Sequence, residues 1–294
     1  MGYQLWVSPI TGYRRKGTRF SALRKIFIDN ITARNIYEPL LCCPVESNAY
    51  DAREALSVRD FDVAGVKETE DGAVVGYVQA VDLGDQTVRE YVKEISPNHL
   101  ISDSTPIAEI FSVLSEMDFA FVLSGKHISG IITKADINKP PVRIYIFGII
   151  SLLEMHLNAW INHYYPENSW VNDVPEKRMQ EASEIFELRK GKNQELSLLE
   201  CLQLCDKRDL LAKSTHFRED FDFSRGNFDS FVKSVEKIRN ELAHSQYSII
   251  SNVEWHRLVE IISRAEIFLI SSDDKVENIA AEGNEFQDLL ISSI

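Results

Sequence analysis

Cysteine is scarce, four in 294 residues, which excludes a disulfide scaffold and predicts a reduced chain. Cys42 and Cys43 are adjacent and cannot readily bridge each other. Cys201 and Cys205 lie one helical turn apart with no second pair nearby to complete a zinc site. Long apolar runs are also missing. The richest, Ile144 to Leu153, ends where Glu154 and His156 interrupt it, whereas a membrane span takes about twenty residues. The N-terminus has no apolar signal core, and Trp6 stands where a myristoylation motif requires Ser or Thr. A cytoplasmic protein with no membrane partner is expected. Positive charge is in deficit, with 32 Lys and Arg against 45 Asp and Glu, a net charge of -13. That argues against a surface coated for nucleic-acid binding. The sequence has no GxGxxG, P-loop, nucleophile elbow or HExxH.

What is present divides into segments. The length suggests two domains, and 44% hydrophobic with 26% charged residues suits a sizeable core. Residues 1–35 carry seven basic side chains (Arg14, Arg15, Lys16, Arg19, Arg24, Lys25 and Arg34) and the single acid Asp29. Residues 36–139 carry 8 basic and 18 acidic side chains, and residues 140–294 carry 17 and 26. The first segment reads either as a solvated basic arm, with a helix from Ser21 to Ile28, or as a contact for phosphates through counterion release.

A repeat fills the middle segment. Gly76-Tyr-Val-Gln79-Ala-Val-Asp82 and Gly130-Ile-Ile-Thr133-Lys-Ala-Asp136 share the frame Gly-h-h-x-x-x-Asp, h being apolar, 54 residues apart. Upstream, Asp62 to Val66 matches Asp118 to Val122 at an offset of 56. The difference falls in a hairpin turn, where length changes are best tolerated. Helical patterns over Ala52–Arg59 and Ile107–Glu116 precede the two strand pairs. Each unit therefore predicts helix, strand, turn, strand, helix, with one sheet face left for its neighbour to cover.

These motifs resemble a tandem pair of CBS domains over residues 36–139, divided at about 36–95 and 96–139. The resemblance implies βαββα-type units paired sheet to sheet, with clefts for a regulatory adenine nucleotide. It places Asp136 on the ribose hydroxyls and Thr133 near the phosphate, with Asp82 and Gln79 at the corresponding positions of the first copy. A carboxylate accepts two hydroxyl hydrogen bonds and a hydroxyl donates to phosphate oxygen, so the chemistry fits. Gln79 departs from the usual Thr or Ser. The alternative is that both motifs only end a strand and cap a helix.

Pro140-Pro141 punctuates the chain. Beyond it the pattern turns helical, with segments predicted at Val142–Tyr165, Glu176–Arg189, Leu196–Leu211, Phe228–Ala243 and Val253–Ile270. Arg189 to Lys192 and Lys213 to Gly226 read as loops, and residues 271–294 as a polar tail with a final apolar patch. The fold class is α+β, a tandem CBS pair followed by an all-α bundle over residues 140–294.

In that bundle Arg239-Asn240-Glu-Leu-Ala-His244 resembles the Arg-x4-His motif of HEPN domains, all-α modules that often act as metal-independent ribonucleases. The resemblance implies a homodimer whose two motif helices face one groove, and RNA as substrate with no cofactor required for catalysis. A toxin or antiviral defence role is what similar proteins suggest. Asn240 and His244 share one helical face, whereas Arg239 must lean about 140° round the helix to meet His244. The 2′-hydroxyl of RNA is its own nucleophile. His244 would act as base or acid, Arg239 would clamp the phosphate, and Asn240 would orient the histidine or a phosphate oxygen. The products would be a 2′,3′-cyclic phosphate and a 5′-hydroxyl. The alternatives are that Arg239 and His244 merely favour the helix dipole, and that the whole chain is a non-catalytic adenine-nucleotide sensor or adaptor. Glu154 is a candidate buried partner for Arg239, although a residue of this kind more often faces a polar seam or the dimer edge. His156 and His163 share a face without a third ligand and read as core or surface residues.

Overall fold

The protein was analysed as a computed structural model that describes residues 18–192, 197–243 and 254–282. The described chain forms two compact units. One comprises Phe27–Val142, and the other joins residues 18–26 to the chain from Arg143 onward. The first boundary lies earlier than the 35/36 expected from composition. The cause is burial: Thr18 and Phe20, on the basic segment, are buried in the helical unit, at 4% and 1% exposure.

The β-containing unit holds two sheets. Strands β1 (Glu38–Pro39), β5 (Leu100–Ser102), β6 (Phe119–Ser124) and β7 (His127–Thr133) form one, in the order β1-β7-β6-β5. Strands β2 (Cys42–Pro44), β3 (Val63–Lys67) and β4 (Val74–Gln79) form the other, in the order β2-β3-β4. Each repeat is a short parallel edge strand, a helix and an antiparallel hairpin. The helices are α2 (Ala49–Ser57) and α3 (Ile107–Glu116). Asn48 caps α2 by accepting from the amides of Tyr50 and Asp51. Helix α3 buries Ile107, Ile110, Phe111 and Leu114, the spacing of one helical face. The hairpins put Gly65 opposite Tyr77 and Phe121 opposite Ile131. Val63 and Tyr77 of one sheet pack with Phe119 and Phe121 of the other, and the Tyr77 and Phe121 rings lie 5.3 Å apart.

The closing helices expected for the repeats are absent among the described residues. The first copy ends in a 3-10 turn at Val88–Tyr91 and the second in one at Lys134–Asn138. In the second copy Lys139 has extended backbone, as a residue before proline must. The helix that follows, α4 (Pro140–Tyr164), starts at the proline itself.

The helical unit is built on α4, whose apolar surface is almost continuous: Tyr145, Ile146, Ile149, Leu153, Leu157, Trp160 and Ile161 are each at most 1% exposed. By length and composition α4 could cross a membrane, contrary to the ten-residue run read from sequence, yet 67% of its most apolar window is buried inside the structure. Around it stand α1 (Phe20–Asn30, which continues into the other unit), α5 (Glu176–Lys190), α6 (Leu204–Lys213), α7 (Thr215–Asp220), α8 (Arg225–Ala243) and α9 (Trp255–Glu282).

Three segments depart from expectation by more than a helical turn. Residues 213–226 are not simply a loop, because Ser214 caps α7 and Phe217 is wholly buried beside Phe221 and Phe228. Helix α6 starts late, after Gln203 and Asp206 form a capping box. Helix α9 runs twelve residues past Ile270, with Ser272, Asp273 and Val276 buried on its inner face.

Candidate functional site

The two repeat motifs are built differently despite their shared frame. In the second, the Asp136 carboxylate is only 7% exposed. Its Oδ2 accepts from the Thr133 amide at 2.7 Å, closing a capping box. Its Oδ1 meets Lys139 Nζ at 2.8 Å. Lys139 also donates to the Ile36 carbonyl and to Glu38. Burial works against the Lys139 charge, but its hydrogen bonds to Asp136 and Glu38 outweigh that and hold the ammonium above its ordinary range. The capping role weighed from sequence for Asp136 is what the geometry displays.

In the first copy Asp82 is 39% exposed at its side chain, and its Oδ2 lies 2.6 Å from Lys93 Nζ. The same ammonium donates to Gln79 Oε1 at 2.5 Å. Lys93 is held there by a backbone bridge to Tyr77, N–H to carbonyl in both directions at 2.8 and 3.0 Å. Gly76 permits this approach, since a Cβ on it would stand 2.7 Å from the Lys93 carbonyl oxygen.

The motif helix of the other unit is α8. Its inner face buries Phe228, Phe231, Val232, Val235 and Ile238, leaving Arg239 and Asn240 on the exposed side. His244 lies outside the described residues, so Arg239 and Asn240 are placed and their partner is not. The Arg239 side chain is 45% exposed, and its Nε lies 3.9 Å from Glu154 Oε2, too far for a hydrogen bond. Glu154 is held instead by Lys207 Nζ at 2.7 Å from Oε1. Lys207, on α6, is only 1% exposed. The close partner of Glu154 is Lys207, and Arg239 stands within ion-pair reach at the outer edge of the pair. The C-terminal carbonyls of α8 at Glu241 and Leu242 accept from Arg143 Nη2, at 3.4 and 2.8 Å. Among the described residues, the cation that meets the helix end is Arg143 of α4.

His156 is a core residue, 0% exposed. Its Nε2 lies 3.2 Å from the Thr18 carbonyl, which can only accept, so Nε2 carries the proton. Nδ1 lies 2.6 Å from the Ser272 hydroxyl, and that oxygen accepts from Trp160 Nε1 at 2.7 Å.

Sequence reading missed Lys93, Lys139, Arg143 and Lys207. Only Lys139, three residues after Asp136, carried a local signal. The others arrive by strand pairing or helix packing. A groove of about 660 Å³ opens near Arg178, Cys205, Arg208, Lys213, Arg225 and Asp229. None of the candidate catalytic or nucleotide-binding residues named from the sequence lines it, and Cys205 is the one residue of the cysteine pairs that does. Two of the groove's guanidiniums are matched by acids, Arg178 with Asp206 at 3.2 Å and Arg208 with Asp229 at 3.0 Å. Among the described residues no cluster of His, Cys, Asp or Glu is placed to hold a metal ion.

No protein-family model and no curated protein matched the chain. Solved structures to which it is similar are CBS-domain proteins. A CBS-pair protein from Arabidopsis thaliana shows 18% identity over 38% of this chain and 95% of its own, with a TM-score of 0.34. The CBS domain of a bacterial CNNM/CorC family Mg2+ transporter, in complex with ATP, shows 16% identity over 40% and 92%, with a TM-score of 0.33. The CBS domains of a transcriptional regulator from Streptococcus pneumoniae show 18% over 37% and 98%, with a TM-score of 0.32. At these scores the architecture described here rests on the strand pairings themselves.

Proposed function

We propose that the β-containing unit is a CBS-like pair that senses an adenine nucleotide, and that the helical unit is a metal-independent endoribonuclease acting as a homodimer. The observation that carries the nuclease reading is the situation of Arg239. A basic residue near a helix C-terminus is ordinarily explained by the helix dipole. Here Arg143 supplies that cation, while Arg239 faces solvent with its N–H groups not engaged by Glu154. A guanidinium in this state is available for a bidentate phosphate contact.

In the proposed reaction Arg239 holds the scissile phosphate and stabilises the charge that develops on it. His244 takes the proton from the 2′-hydroxyl, whose oxygen attacks phosphorus. The P–O5′ bond breaks, and the leaving oxygen takes a proton from an imidazolium, which is His244 of either copy. Asn240 orients the histidine or a phosphate oxygen. RNA is cut to a 2′,3′-cyclic phosphate and a 5′-hydroxyl, while DNA resists because it lacks the nucleophile. A nucleotide would regulate the site by binding two arrangements of the dimer with different affinity. A toxin or antiviral role would follow from such an activity.

The competing reading is a non-catalytic sensor or adaptor. The acidic helical segment, with 17 basic against 26 acidic residues over 140–294, favours it. An RNase assay in EDTA on wild type, Arg239→Ala and His244→Ala separates the two. Cleavage lost by about 100-fold or more in both folded variants supports catalysis. Equal activity in all three proteins, or none in wild type, leaves the adaptor.

A further inference from the structure

The two repeats place opposite charges at one equivalent position. In the first, Lys93 lies across from Tyr77 of β4. In the second, Glu38 lies across from Ile131 of β7. Tyr77 and Ile131 each follow the motif glycine by one residue, and both glycines allow the edge segment to approach. A Cβ on Gly130 would stand 2.5 Å from the Glu38 carbonyl oxygen, as one on Gly76 would crowd Lys93. The position that faces the motif Asp thus carries a cation in one copy and an anion in the other.

The consequences for a ligand are unequal. In the second copy the three N–H donors of Lys139 meet the Ile36 carbonyl, Glu38 and Asp136, which exhausts an ammonium. Asp136 is buried with both oxygens engaged, and Glu38 adds a negative charge. A phosphate arriving at this network meets the negative charges of Glu38 and Asp136 and an ammonium, Lys139, whose donors are already taken. In the first copy the Lys93–Asp82 pair is exposed to 40% and 39%, so separating the two groups costs little. Phosphate oxygen taking Lys93 would release the Asp82 carboxylate to accept from sugar hydroxyls, with the Gln79 amide alongside. Arg53 of α2, which reaches the Leu83 carbonyl at 3.5 Å, brings a second cation to this loop.

We infer that the first repeat is the ligand site, that it takes one nucleoside phosphate per chain, and that Lys93 is the phosphate contact, the second repeat being closed by its own Glu38–Lys139–Asp136 network. This rests on the nucleotide-sensing reading above and reverses the order in which the motifs alone rank the two copies.

Calorimetric titration of the full chain with ATP, AMP and adenosine tests it, using wild type, Lys93→Glu, Lys93→Arg, Asp136→Asn and Thr133→Ala. The expected result is one site per chain, with affinity rising with phosphate number. Lys93→Glu should weaken ATP binding about tenfold or more, since a charge-assisted contact is lost, and Lys93→Arg should restore most of it. Asp136→Asn should bind as wild type, with Thr133→Ala replacing it if the capped turn does not fold. Binding unaffected in Lys93→Glu but lost in Asp136→Asn or Thr133→Ala, an equal loss on both sides, or two sites per chain would each overturn the inference while leaving nucleotide sensing intact. No binding of any of the three probes by wild type would overturn both.

Discussion

Lys207 and Glu154 form an ion pair in the helical unit, Nζ to Oε1 2.7 Å, in which the lysine side chain is 1% exposed and the glutamate 23%. The pair ties α6 to α4 directly beneath Arg239 of α8. The two ends are unequal, because the ammonium has lost its water while the carboxylate keeps part of its own.

That asymmetry predicts an order of stabilities. Glu154→Gln leaves a buried ammonium without its countercharge and should cost about 3 kcal/mol or more. Lys207→Met should cost less, since the carboxylate can turn toward solvent. The double variant should recover most of the loss. Urea unfolding of the three proteins checks the order, and a double variant no more stable than Glu154→Gln would contradict it.

Glycine replacement should act on the repeat edges. A Cβ at Gly130 would fall 2.1 Å from Tyr37 Cδ2 as well as 2.5 Å from the Glu38 carbonyl oxygen. Gly130→Ala should therefore cost about 1–3 kcal/mol through overpacking. Gly76→Ala, 2.4 Å from Val92 Cγ1, should be similarly destabilising and should also displace Lys93. Thermal unfolding reads both, with Lys126→Ala on the neighbouring turn as the control expected to change little.

Acid should act through Asp103. Its Oδ2 accepts from Arg34 at 2.6 and 3.1 Å and from the Ser124 hydroxyl at 2.9 Å. The hydrogen bond from Arg34, then that from Ser124, hold its pKa below the ordinary aspartate value. A depressed folded-state pKa contributes stability that is complete above the unfolded value of about 3.9 and is lost as pH falls through the folded one. Asp103→Asn should therefore reduce the loss of stability below about pH 4 and leave the profile nearer neutrality without added slope. Denaturant midpoints measured from pH 2.5 to 7 decide it.

The His156–Ser272–Trp160 chain should be sensitive to its central oxygen. Ser272→Ala removes the atom that both Nδ1 of His156 and Nε1 of Trp160 meet, at a cost of about 1–3 kcal/mol. Because His156 also holds the Thr18 carbonyl, proteolysis near residues 18–20 should quicken in the variant. Unchanged stability would show that the hydroxyl is dispensable.

Much of this was legible along the chain because it depends on neighbours in sequence. Alternating and continuous apolar runs specify β3, β4, β6 and β7. The offset between Gly76 and Gly130 exposes the duplication, and the spacing of Phe228, Phe231, Val235 and Ile238 defines the inner face of α8. Capping is equally local, so a capping role for Asp136 was legible in the sequence, although the structure makes Thr133 the N-cap and Asp136 the third residue of its box. Helix ends were less legible: Phe217 and Val276 are ordered by partners far away in sequence.

Placement of charge belongs to tertiary structure. The sequence names Asp82 and Asp136 as twins, Arg239 as a cation near a helix end, and Glu154 as an interruption in an apolar run. Strand pairing brings Lys93 to the first aspartate and Glu38 with Lys139 to the second, which makes the twins unlike. Helix packing buries Lys207 against Glu154 and brings Arg143 to the end of α8, which leaves Arg239 facing solvent. The electrostatics of a carboxylate or guanidinium depend on distance and burial, and residues tens of positions apart set both.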